Sequence, residues 1–141
     1  WGGWVGQALD TADEIVVTAV PTLASLRNTK SMVDTLSAKR KNDAPVRVVL
    51  NRVGAHPKTD LPLKDFAQAL GSQPTIQLPN EPAIFAAAAN AGHVIGEMQK
   101  AQRLLDPLNR LATLVSGRER IEKRRRAGSA GMLRRLLGAP A

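Results

Sequence analysis

At 141 residues and 15.1 kDa, 43% of them hydrophobic, the chain has the size and composition of one domain with a substantial core. It has no cysteine, which excludes disulfides, thiolate metal sites and a cysteine nucleophile, and its two histidines, His56 and His93, stand in separate segments without metal-ligand spacing. The net charge of +8 is uneven: residues 118–141 carry eight basic side chains against Glu119 and Glu122, so the remainder is nearly neutral.

In chain order, Trp4 to Ala12 reads as a short helix and Ile15 to Val20 as a strand. Pro21-Thr22 opens a long helix with proline in its first turn. Leu23, Leu26, Val33 and Leu36 recur along it at helical spacing, and Lys39-Arg40-Lys41 complements its negative C-terminal end. Asn42 to Pro45 is a turn. The stretch from Ala44 to Gly54, APVRVVLNRVG, then holds Val48-Val49-Leu50, apolar without alternation, as expected of a strand covered on both faces of a parallel sheet. That strand stops on Asn51-Arg52. Ligands in open α/β sheets bind beyond the carboxyl ends of strands, and an asparagine amide can donate to and accept from a base edge together. The same Asn-Arg-x-Gly also suits an ordinary turn.

His56 to Pro62 reads as a loop. Leu63 to Leu70 is a helix with Phe66, Ala67 and Leu70 on its apolar side, stopped by Gly71. Thr75 to Leu78 is a third strand ending on Pro79, and Pro82 to Asn90 a helix capped by Gly92, in which Ala86 to Ala89 reads as close helix packing. A further helix starts near His93, with Ile95, Met98, Leu104 and Leu105. It restarts at Asp106-Pro107, with Asp as N-cap and Pro at the first helical position, and continues through Leu108, Leu111 and Val115 to Gly117. The order strand, helix, strand, helix, strand, helix indicates an α/β fold with a partial parallel sheet of about three strands and flanking helices. Three strands are few for such a sheet, so partner strands elsewhere are expected. The chain begins on Trp1 with no signal-peptide pattern and no apolar run near the roughly 20 residues that span a bilayer. The expectation is part of a longer, cytoplasmic protein.

The segments ADEIVVTAVPTLASLRNTKSMVDTL, NDAPVRVVLNRVG, KDFAQALG and LPNEPAIFAAAANAG, in this order, resemble the C-terminal half of the MinD/ParA group of P-loop ATPases. Within that group they are most similar to the CpaE/TadZ branch of pilus assembly proteins of Tad (Flp-type) secretion systems. The likeness spans about Trp4 to Gly117. It implies that residues 1–117 are the incomplete C-terminal part of an ATPase domain and that residues 118–141 form a separate basic tail. It also implies an adenine pocket with Asn51 and Arg52 on one side and Pro79, Asn80 and Glu81 on the other. Asn80 departs from the aromatic or acidic residue usual there. ATP with Mg would be bound in the full-length protein, as a homodimer, at the cytoplasmic side of the cell pole among pilus and secretion assembly proteins.

No GxxxxGK[ST] loop or its deviant form occurs in the chain, and the resemblance places the Walker B aspartate before Trp1. Hydrolysis by this chain alone is therefore not expected.

In the tail, Arg124, Arg125 and Arg126 close a basic run, and Gly128 to Gly131 reads as a break. Met132, Leu133, Leu136 and Leu137 then fall on one side of a helical turn, with Arg134 and Arg135 opposite. Such a segment suits an inner-membrane surface, where each nearby basic residue adds about 1 kcal/mol against anionic lipid. It also suits a protein partner or a solvated end. Two further readings of the whole chain stay open: a ParA-like non-specific DNA-binding module that grips phosphates through the tail, and a degenerate scaffold domain without nucleotide binding.

Overall fold

Val48, Val49 and Leu50 build the centre of the sheet, each at most 3% exposed. Residues 2–117 are described by the structure, a computed structural model of the chain. They run α1 (Gly3–Thr11), β1 (Val16–Ala19), α2 (Leu23–Lys39), β2 (Arg47–Val53), α3 (Leu63–Leu70), β3 (Ile76–Pro79), α4 (Pro82–Ala91), a 3-10 turn (Ile95–Glu97) and α5 (Gln102–Ser116). The strands form one parallel sheet in the order β1-β2-β3, with Val17 opposite Val48, Ala19 opposite Leu50, and Val49 opposite Ile76. The expected α/β architecture is thus present.

Alternation in β2 divides its side chains between two covered faces. Val48 and Leu50 join Ala19, Leu26, Phe66 and Leu70 in the core formed with α2 and α3. Val49 and Ile76 are buried on the opposite face, and α5, which buries Leu104, packs against β3. On that second face β1 is bare, with Val16 38% exposed and Thr18 exposed. Its outer edge pairs with no strand among the described residues.

α3 matches its expected bounds, and Gly71 closes it at φ 86°, a left-handed conformation that favours glycine. Elsewhere packing overrides local signals. Pro21 lies before α2 rather than in its first turn, because Thr22 is the N-cap and its Oγ1 accepts from the Ser25 N–H at 3.3 Å. Leu23 is 62% exposed, while Thr29, absent from the expected stripe, is buried. The helix expected near His93 is a 3-10 turn. Its Glu97 carboxylate accepts from the Val94 N–H (3.3 Å) and pairs with His93 Nδ1 (2.9 Å), and Lys100 at φ 66° then breaks the chain. No restart occurs at Asp106-Pro107: α5 begins at Gln102 and carries Pro107 inside it. Burial of Leu104, 1% exposed, draws the first turn back, and Asp106 accepts from the Gln102 amide instead of capping.

The loop into β1 is clamped by a two-pronged pair. Arg47 Nε and Nη2 donate to the two Glu14 carboxylate oxygens at 2.9 and 2.8 Å. The hydrogen bonds from Arg47 hold the Glu14 carboxyl below its ordinary 4.5. A folded-state pKa below the unfolded one contributes stability that is present above the unfolded value and lost as pH falls through the folded one. Glu14→Gln is therefore expected to remove part of the stability lost on acidification below about pH 4.5. Denaturant midpoints measured from pH 6 to pH 3 check this; parallel curves for the two proteins would contradict it.

Candidate functional site

The C-terminal ends of β2 and β3 carry the two halves of the expected site, and the sheet brings them side by side. Leu50 pairs with Gln77 and the next pair is Val53 with Pro79, so β2 holds one residue more than β3 across this step. That extra residue is a β-bulge, which bends a strand and re-aims its side chains. Arg52 sits in it at φ 57°, the left-handed region. The strand thus runs on to Val53, past its expected end at Asn51-Arg52, and the turn follows: Gly54 stands at φ 80° and the Ala55 N–H donates to the Arg52 carbonyl at 3.1 Å. Across the ladder, the Asn80 N–H donates to the Val53 carbonyl at 3.0 Å. This bond locks the Asn51–Val53 and Pro79–Asn80 segments together.

Asn51 is half-buried and its Oδ1 accepts from the Arg52 N–H at 2.8 Å. The amide is oriented by that bond: its NH2 stays available to a base nitrogen, and the oxygen retains a second lone pair. Arg52 is exposed, while Pro79 and Asn80 are half-buried. Glu81 is the N-cap residue of α4 but makes no side-chain cap. Its carboxylate instead accepts from Arg103 Nη1 of α5 at 3.3 Å. Arg103 has no local signal in the sequence, because it reaches the site from 22 residues away. The loop after β2 is held at the same end of the sheet, with the Leu61 N–H donating to the Pro21 carbonyl at 2.7 Å.

These residues form an open wall rather than an enclosed pocket. A hollow of about 400 Å³ lies just past the turn, lined by Ala55 to Thr59, and one of about 590 Å³ lies elsewhere, between the start of α1 and α2. The wall carries an amide at Asn51, a carboxylate at Glu81 and the ring of half-buried Pro79. His56 and His93 are exposed and lie on different elements, and no group of three metal-ligating side chains occurs among the described residues. The tail residues Arg124, Arg125, Arg126, Met132, Leu133, Arg134, Arg135, Leu136 and Leu137 lie outside the described residues. No helix among the described residues is long and apolar enough to cross a membrane.

No protein-family model matches the chain, and no curated protein matches it in sequence. Its fold does match solved structures. The MinD protein of the MinC:MinD cell division complex of Aquifex aeolicus superposes with a TM-score of 0.62 at 21% identity, over 84% of this chain and 48% of that one. Pyrococcus furiosus cell division ATPase MinD gives 0.59 at 20% identity over 77% and 46%. A ParA family ATPase from Chlorobium tepidum gives 0.54 at 16% identity over 71% and 40%. At such identities the likeness is one of fold. The chain spans somewhat under half the length of these ATPases, and its three-stranded sheet with flanking helices corresponds to that part of their architecture.

Proposed function

We propose that this chain supplies the base-side half of an ATP-binding fold of the MinD/ParA kind, in an assembly and positioning factor of the CpaE/TadZ type. The observation that carries the reading is the hydrogen bond from the Asn80 N–H to the Val53 carbonyl, which unites two polar strand ends into one surface at the carboxyl edge of a parallel sheet. In this reading Asn51 and Glu81 address the edge of adenine, Pro79 contacts its face, and Arg52 and Asn80 border it. Arg103 is a positioning residue that holds the Glu81 carboxylate. Phosphates and Mg are held by residues outside this chain, which lacks the glycine-rich lysine loop.

Nucleotide-controlled dimerisation at a cytoplasmic membrane surface of the pole would then localise pilus machinery. Support for the pilus branch comes from the order of the four sequence segments, and support for nucleotide binding from the fold shared with ParA and MinD ATPases.

The test is a competition between ATP and GTP, measured on the polypeptide that carries this segment together with a phosphate-binding loop. Asn51→Ala is expected to lose about 1–3 kcal/mol of adenine-over-guanine discrimination, the scale of a paired amide–base contact. Unchanged discrimination and affinity would remove Asn51 from the site.

A further inference from the structure

Residues 82–100 are held to the rest of the fold at their two ends and scarcely between. They comprise α4, PAIFAAAANA, and the 3-10 turn. Ala88 is their one buried residue, and Ile84, Ile95 and Met98 are half-buried. The close packing expected of Ala86 to Ala89 is met at Ala88 alone, the other three being exposed. α4 packs chiefly on the 3-10 turn that follows it, and α5 is the helix that packs on β3. The side-chain hydrogen bonds of the segment are internal, from His93 and the Val94 N–H to Glu97. Its borders are sharp. Ile76 is buried on β3 before it, and Ala101 and Leu104 are buried at the start of α5 after it. The Glu81–Arg103 pair joins the two ends directly across 22 residues.

A segment with so little buried apolar contact opens more readily than the core that flanks it. Lys100, at φ 66°, places a strained non-glycine conformation at one end, where a hinge can release it. The composition runs against the exposure, since α4 holds no charge and helices apolar on all sides are normally covered. Phe85 is the largest part of that uncovered surface, at 48% exposure. Its N–H donates to the Glu81 carbonyl at 3.4 Å, so Phe85 follows Glu81 by one helical turn, on the same side of the helix start. Glu81 belongs to the wall with Asn51 and Pro79, and the exposed ring therefore borders that wall. A nucleobase is the occupant that suits such a ring, because every base offers a π-face to an aromatic side chain.

We propose that residues 82–100 are a strap, stapled at its neck by Glu81 and Arg103, that closes over the wall and stacks Phe85 on the bound base. The proposal rests on the base-site reading and adds to it an aromatic contact and a moving part.

The strap is tested first on the full chain alone. Amides of residues 84–98 are expected to exchange with solvent at least about tenfold faster than those of α3. Equal protection would overturn the proposal. On the polypeptide that also carries a phosphate-binding loop, ATP is expected to slow exchange over residues 84–98, and an unaltered rate would rule out closure. Phe85→Ala, with circular dichroism unchanged, is expected to weaken ATP and GTP alike by about tenfold. Phe85→Tyr should keep the affinity and Phe85→Leu should lose it, which separates stacking from the burial of any apolar side chain. Equal binding by all three would refute stacking. The Asn51→Ala competition distinguishes the two readings. If it shifts the ATP-to-GTP ratio while Phe85→Ala binds within about twofold of the parent, the strap falls and the base wall stands. If neither variant changes binding, both fall.

Discussion

Phe66→Ala is expected to lower the unfolding free energy by about 3–5 kcal/mol, read as a fall in the urea midpoint. The ring is fully buried and belongs to the core cluster with Ala19, Leu26, Val48, Leu50 and Leu70. It is the largest side chain buried to that degree. α3 presents Phe66, Ala67 and Leu70 as its buried face, so truncation removes most of what anchors the helix to α2 and the sheet. A domain of this size has about 5–15 kcal/mol in total, and a loss of this scale is a large fraction of it. Phe66→Leu, which keeps much of the volume, should lose far less. A change below 1 kcal/mol on Phe66→Ala would mean that α3 lies outside the cooperative core.

Arg40→Ala is expected to destabilise by about 2 kcal/mol and to release α1. No residue of α1 is buried, so packing alone does not hold it. Arg40 does: Nη1 donates to the Leu9 carbonyl at 3.0 Å, Nη2 to the Ala12 carbonyl, and Nε to Asp43 Oδ2 at 2.7 Å, with the side chain 8% exposed. The guanidinium thus serves the C-terminal end of α1. Its position, at the C-cap of α2, points by sequence to its own helix instead. Arg40→Lys should not rescue, because an ammonium group lacks the planar fork that reaches two carbonyls and a carboxylate together. Amide hydrogen exchange over Gly3–Thr11 provides the readout. Undiminished protection there would show that other contacts hold α1.

How far each element was legible follows from the range of the forces that set it. α3 and α4 are punctuated by neighbours in sequence: Gly71 and Gly92 take left-handed conformations that stop them, and Pro82 starts α4 at its first position. Leu23 is exposed although it belongs to the expected stripe, and Thr29 is buried outside it, because periodicity identifies an apolar stripe but not which turn of a helix overhangs solvent. Asp106-Pro107 misled for a related reason. A local start signal lost to Leu104, whose burial depends on packing of α5 against the sheet.

A parallel α/β chain is legible in the residues alone, because Val48-Val49-Leu50 lacks alternation and must be covered on both faces, but the central place of β2 in the order β1-β2-β3 comes from the fold. Asn51-Arg52 also stands out in the residues as a polar strand end, whereas Pro79, Asn80 and Glu81 are singled out by the family resemblance. That these segments are neighbours emerges from the folded chain, through the bulge between Leu50 and Val53 and the bond from Asn80 to Val53. The fold alone determines that Arg103 holds Glu81, that Arg40 caps a helix 28–31 residues upstream, and that α4 is bare. The physical reason is common to all of these. Strand identity follows from covalent neighbours and the pattern of burial, whereas register, bulges and ion pairs between distant residues depend on how helices settle on the sheet, which no local periodicity encodes.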